Sequence, residues 1–181
     1  TAKKIFEYHG LKIFDVEELS THGGSLRLYI THFDNNQINK STEVDLIIEK
    51  EKKFGLTQIN TYENFLKNII QIKINLLDFI EKAKKNSKTL VCYGAPAKGN
   101  TLLNYCGLSK TQIDYTVDKN PSKQNLFLPG THIPIFSPEK IKETKPDFIL
   151  ILPWNLQEEI LNELNYVKSW GCQFIISIPE V

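Results

Sequence analysis

Two rhythms of apolar and polar positions run along this 181-residue chain, and the change falls near residue 87. Residues 1–9 fit the end of a helix closed by Gly10, because glycine readily takes the left-handed conformation past a last turn. Leu11–Leu19 reads as a strand, residues 20–24 as a loop, and Ser25–Thr31 as a strand with strict alternation. Leu26, Leu28 and Ile30 fall on one face, and Arg27, Tyr29 and Thr31 on the other. Together they predict a β-hairpin. A helix stub and one hairpin cannot enclose a core, so residues 1–34 are expected to be the tail of a preceding domain. Residues 35–86 then read as linker and helices. Thr42 with Asp45 resembles a capping box for a helix to about Phe54, stopped by Gly55. Thr61 is expected to cap a long helix to about Lys85, roughly 36 Å in length. Its stripe of Phe65, Leu66, Ile69, Ile70, Leu76, Leu77 and Ile80 should pack on the sheet that follows.

From residue 87 to 181 strands alternate with helices. Strands are predicted at Thr89–Tyr93, Ile113–Val117, Thr131–Ile135, Phe148–Leu152 and Gln173–Ile178. Helices are predicted from Lys98 to Cys106, after Ser137-Pro138-Glu139, and from Asn155, with Glu158 as its capping partner, to about Trp170. Apolar strands, the fourth of them apolar throughout, separated by helices point to a parallel sheet covered on both faces. Right-handed crossovers then predict an α/β, Rossmann-like five-stranded sheet of order 3-2-1-4-5.

Composition narrows the function without defining it. A formal net charge of +1 implies no polyanionic partner such as nucleic acid. No apolar run approaches the roughly 20 residues that span a bilayer, and the opening residues are not expected to form a signal peptide. Cys92, Cys106 and Cys172 are scattered and odd in number, which argues against disulfides or a zinc site and for a reducing, cytoplasmic setting. The chain has no methionine, so it is expected to be a piece of a longer protein. Its 22 basic residues include one arginine, Arg27.

Ligands of open α/β sheets bind beyond the carboxyl ends of strands where the order reverses. Two loops should bound that crevice here: Gly94-Ala95-Pro96-Ala97-Lys98-Gly99-Asn100 and Pro153-Trp154-Asn155. Gly94 permits a tight turn, the helix start offers free N–H groups suited to phosphate, and Lys98 adds a cation. Asn100 can cap the helix or donate to a ligand. The glycine spacing is neither a dinucleotide fingerprint nor a Walker loop, so an ordinary strand-to-helix turn with an exposed lysine fits as well. Asp118 sits where dinucleotide folds place a ribose acceptor, and equally where an aspartate starts a turn. Trp154 can line the cleft or belong to the core. Asn155 reads more as a helix cap than as a ligand donor. His22 and Arg27, beside the flexible Gly23-Gly24 pair, are candidate contacts for an anionic or sugar ligand.

Four blocks in order resemble one family: residues 21–27 (Thr-His-Gly-Gly-Ser-Leu-Arg), 93–101 (Tyr-Gly-Ala-Pro-Ala-Lys-Gly-Asn-Thr), 128–135 (Leu-Pro-Gly-Thr-His-Ile-Pro-Ile) and 153–156 (Pro-Trp-Asn-Leu). They look like the carboxy-terminal region of S-adenosylmethionine-dependent sugar C-methyltransferases. The resemblance implies a whole enzyme with an amino-terminal zinc segment, a middle methyltransferase domain and this region. It implies methylation at C3 of a dTDP-linked 4-keto deoxysugar. On that reading Gly94, Ala95, Lys98, Gly99, Asn100, Asp118, Pro153, Trp154, Asn155 and Arg27 are substrate contacts, and His22 is the one catalytic candidate in this chain. The partners are then the nucleotide sugar and the upstream domain. The S-adenosylmethionine and zinc sites are expected outside the chain, which alone should bind no cofactor and be inactive. Two alternatives remain: an NAD(P)-binding oxidoreductase or sensor domain, and a non-catalytic scaffold.

Overall fold

The computed structural model describes residues 1–178 and forms two compact units, Thr1–Leu66 and Lys67–Val181. The first unit holds α1 (Ala2–Tyr8), the hairpin β1 (Leu11–Leu19) and β2 (Ser25–His32), α2 (Glu43–Phe54) and the start of α3 (Ile59–Lys85). The strands pair antiparallel, with Val16 opposite Leu28 and Glu17 opposite Arg27, and a bulge interrupts the register between Ile13 and Asp15. A short 3₁₀ turn, Thr21–Gly23, joins them. Only Val16 and Val44 are buried apolar residues among those described here.

Capping in this unit differs from expectation. Thr42 is already helical and makes no side-chain cap, so the Glu43 N–H is taken by the Ser41 hydroxyl (3.1 Å). Asp45, the expected partner of Thr42, instead accepts from Lys40 (2.6 Å). Thr61 does not cap α3. The helix begins at Ile59, and the Thr61 hydroxyl donates to the carbonyl of Gly55 (2.8 Å).

The second unit is built on a five-stranded parallel sheet of β3 (Leu90–Tyr93), β4 (Thr116–Val117), β5 (Ile135–Phe136), β6 (Phe148–Ile151) and β7 (Gln173–Ile175). Its spatial order is β5-β4-β3-β6-β7, the predicted 3-2-1-4-5. Successive residues of a strand face opposite sides, which sorts the core into two layers. Leu90, Cys92, Leu150 and Leu152 pack with Leu76 and Ile80 of α3 and with Leu102 and Leu103 of α4 (Ala97–Cys106). Val91, Tyr93, Ile149 and Ile151 pack with Ile141 of α5 (Lys140–Thr144) and Ile160 of α6 (Gln157–Glu163). Burial of such side chains contributes about 1.5–3 kcal/mol each. Helices therefore cover both faces, and this is a mixed α/β fold.

Three expectations need correction in this unit. The predicted stripe of α3 is buried only at Leu76 and Ile80, with Leu77 partly buried against the same core, while Ile70 is exposed, as are Phe65 and Leu66 at the helix start in the first unit. The predicted strand Thr131–Ile135 is mostly a turn, because His132 takes a positive φ of 56° and donates its N–H to Leu128 O (3.0 Å). The chain there folds back on itself, with Phe127 bridging Pro134 antiparallel, and β5 starts only at Ile135. The helix expected from Asn155 to Trp170 breaks into a 3₁₀ turn (Trp154–Leu156), α6 and a second 3₁₀ segment (Asn165–Trp170).

Candidate functional site

The strand order reverses between β3 and β6, and the turns that follow these two strands touch. Gly94 has a φ of +88°, and a Cβ there would lie 2.7 Å from Cδ of Pro153, so only glycine allows the contact. The Gly94 N–H donates to Val117 O (2.6 Å), and the buried Thr116 hydroxyl donates to the Gly94 carbonyl (2.7 Å). A Cβ at Gly99 would meet Cβ of Leu152 at 2.6 Å, so α4 sits directly on β6.

Helix α4 opens behind Pro96, whose extended backbone sets the entry (φ −79°, ψ 153°). Its first internal bond runs from the Asn100 N–H to Pro96 O (3.0 Å). The N–H groups of Ala97, Lys98 and Gly99 therefore have no helical acceptor, and no side chain caps them. Their partial positive charge is joined by the Lys98 ammonium, which lies 4.6 Å from the centre of the Trp154 ring and donates to Asn155 Oδ1. Among the described residues no carboxylate pairs with Lys98. A cation held only by a neutral amide and an indole face keeps its charge available to an anion. Asn100 contributes a buried Oδ1 with no hydrogen-bond partner, an acceptor whose unmet bond is costly unless a donor reaches it.

On the α6 side of the same turns lies a cavity of about 210 Å³, bounded by Tyr93, Gly94, Pro153, Leu156, Lys119 and Glu163. The Tyr93 hydroxyl is 3.4 Å from both carboxylate oxygens of Glu163, and Lys119 pairs with the same carboxylate. Burial, with the negative charge of Glu163, holds the Tyr93 hydroxyl well above the usual phenol range, so it stays protonated. The Glu163 hydrogen bond raises the Lys119 ammonium in turn.

The profile of the family described as the C-methyltransferase C-terminal domain matches residues 20–179. The chain belongs to this family. As a C-methyltransferase C-terminal domain it is similar to C-methyltransferase NovU of Streptomyces niveus, with 33% identity over 177 residues. That similarity covers 97% of this chain and 42% of the relative, so the chain spans less than half the relative's length.

In this C-methyltransferase C-terminal domain, Gly94, Ala95, Lys98, Gly99, Asn100, Asp118, Pro153, Trp154 and Asn155 all come together at the crossover. Asn155 is not the expected helix cap, because its side chain accepts from Lys98. Asp118 is engaged by protein donors. Oδ2 accepts the Ala95 N–H (2.7 Å) and the Lys123 ammonium (3.3 Å), and Oδ1 accepts the Asn120 N–H (2.8 Å). It ties the turn after β3 to the turn after β4. Arg27 lies in the first unit, where Nη1 donates to Oε2 of Glu17 (2.9 Å), an oxygen that the Tyr29 hydroxyl shares (3.1 Å). The side chain of His22 lies outside the described residues. Tyr93, Lys119, Lys123, Glu159 and Glu163 line the cavity although sequence reasoning passed over them. Two signals were available: the polar run 118–123 after a strand end, and carboxylates four apart at 159 and 163 on the helix after β6.

No helix among the described residues is long and apolar enough to cross a membrane. Among them no three His, Cys, Asp or Glu side chains are grouped to hold a metal ion. The buried thiols of Cys92, Cys106 and Cys172 are free.

Proposed function

We propose that the whole protein is an S-adenosylmethionine-dependent C-methyltransferase acting on a dTDP-linked 4-keto deoxysugar, and that this chain holds the nucleotide diphosphate of the substrate. The observation that carries the reading is Lys98, a cation without a carboxylate partner beside three free N–H groups at the start of α4. A diphosphate supplies the missing negative charge, and the amides and the ammonium supply donors to its oxygens. Trp154 offers a flat face at the edge of the same site. Gly94 and Pro153 hold the two turns together so that these groups are oriented before the ligand arrives.

S-adenosylmethionine, when bound, supplies an electrophilic methyl group to a carbon made acidic by the neighbouring ketone. The residues of the second unit do not fit that group. Its sulfonium cation would face Lys98, and Asp118, the acid placed for a ribose, already accepts three protein donors. We therefore place the S-adenosylmethionine site, and any zinc site, outside this chain, and expect the chain alone to be inactive.

A thermal-shift panel of dTDP, S-adenosylhomocysteine, NAD and NADP tests the reading. Stabilisation by dTDP alone, lost in Lys98→Ala and in Trp154→Ala, is the expected result. A shift with a nicotinamide dinucleotide would make this a redox or sensor domain, and no shift at all would leave a scaffold.

A further inference from the structure

A lysine carries a compact charge on a flexible stem, so its ammonium samples many places unless neighbours fix it. At the start of α4 three features fix Lys98. Helix α4 lies hard against the end of β6, because a Cβ at Gly99 would meet Cβ of Leu152 at 2.6 Å. That brings Lys98 beside the turn that follows the same strand. The Trp154 ring, packed against the core of the second unit, has its centre 4.6 Å from the ammonium. Asn155, the next residue, accepts a hydrogen bond from Lys98 Nζ through Oδ1.

The backbone frees Asn155 for this contact. The chain leaves β6 through Pro153 into the 3₁₀ turn Trp154–Leu156, which the Leu156 N–H closes on Pro153 O (2.8 Å). Helix α6 starts just past that turn, at Gln157, and takes no side-chain cap. Asn155 is therefore not spent on the helix start, and the acceptor oxygen of its amide turns to Lys98.

The kind of acceptor matters as much as its place. Other lysines around the same sheet end on carboxylates: Lys88 on Asp147, Lys119 on Glu163 and Lys123 on Asp118. Lys98 ends on an amide. A carboxylate in that position would offset the ammonium's charge, and an arriving phosphate would meet its repulsion. An amide oxygen orients the ammonium and leaves the positive charge whole.

We propose that Asn155 is a positioning residue of the anion site: it holds the Lys98 ammonium over the Trp154 face through a neutral acceptor, so that the cation is fixed yet not neutralised when a phosphate arrives. The inference rests on the diphosphate reading above. It gives Asn155 a role exerted through Lys98 in place of a direct substrate contact.

Calorimetric titration of the 181-residue chain with dTDP tests the neutrality of the acceptor. Asn155→Asp keeps the shape and the acceptor oxygen and adds a charge. It should bind at least about tenfold more weakly than the wild type, the scale of one lost charge-assisted hydrogen bond. Asn155→Ala leaves the Lys98 charge and removes only its anchor, so binding about threefold weaker is expected, the effect of ordering one long side chain. A purely structural side chain gives the opposite order, with Asn155→Asp nearer the wild type. That order, or wild-type affinity in both variants, would overturn the proposal and leave the diphosphate reading standing. Emission of Trp154 in ligand-free Trp170→Phe protein tests the positioning itself. Asn155→Ala should shift it in the same direction as Lys98→Ala, and should shift it no further once Lys98→Ala is present. An equal shift in both backgrounds would show that Asn155 does not act through Lys98, and would overturn the proposal even if Asn155→Asp fails to fold. Failure of the wild type to bind dTDP would remove the diphosphate reading and the proposal with it.

Discussion

The two units of this chain solve the problem of burying apolar surface very differently. In the second, fourteen of the described residues form one buried layer and eleven the other, on opposite faces of a parallel sheet. In the first, Val16 and Val44 are the buried apolar residues among those described, whereas Tyr8, Phe33, Phe54 and Ile59 are largely exposed. The hairpin is held by its backbone ladder and by exposed cross-strand pairs such as Arg27 with Glu17, and a lone hairpin is marginal in water. Rigidity is thus concentrated where the crossover turns are anchored. That is what a site needs if its donors are to be oriented in advance.

Unequal cores predict unequal costs of mutation. Leu150→Ala, at a fully buried position in β6, should destabilise by about 2–5 kcal/mol, while Leu28→Ala in the hairpin should cost well under half as much. Urea unfolding of both variants checks this, and equal costs would break the contrast. Gly94→Ala comes next. The added methyl meets Pro153 at 2.7 Å and the backbone is left-handed, so a loss of about 1–3 kcal/mol is expected, with weakened dTDP binding. A variant as stable as the wild type would show that the two turns are not held in contact.

A smaller effect separates the carboxylates of the two units. Asp147 joins the starts of β3 and β6, accepting from Lys88 (2.8 Å) and from the N–H (2.9 Å) and hydroxyl (2.9 Å) of Thr89. The Lys88 hydrogen bond, then the Thr89 N–H, hold its carboxyl at about 2 against an ordinary 3.8. A folded-state value below the unfolded one means the contribution is complete above about pH 3.8 and is lost as the pH falls toward 2. Melting temperature followed from pH 5 to pH 2 should therefore fall less steeply in Asp147→Asn than in the wild type. Glu17→Gln, which breaks only the exposed pair with Arg27, should cost no more than about 1 kcal/mol at neutral pH.

The sheet order was readable because five apolar segments separated by helical patterns leave few right-handed arrangements. Its details were not, for reasons visible at single residues. The third strand starts later than its pattern suggests, because nothing in Thr131–Ile135 reveals that His132 turns left-handed and donates its N–H to Leu128 O. Ser41 displaced Thr42 as the cap because helix starts are ambiguous within a residue or two when hydroxyls adjoin. Asn155 looked like a cap by position, but its competing partner, Lys98, is 57 residues away in sequence. The same holds for the cavity. Tyr93 and Glu163 are 70 residues apart, and only the crossover from β3 to β6 and on into α6 brings them together. The turn after β3 was legible because glycine, free amides and lysine are contiguous. The cavity was not, because its chemistry is divided among three turns.

The proposed nucleoside diphosphate site lies at the start of α4, beside Trp154. Trp154 and Trp170 are the two tryptophans of the chain, so Trp170→Phe leaves Trp154 as the sole indole reporter. Fluorescence of that variant titrated with dTDP is predicted to change saturably, and the change should disappear when Lys98→Ala is added. An emission that ignores dTDP, or a response that persists without Lys98, would contradict the account.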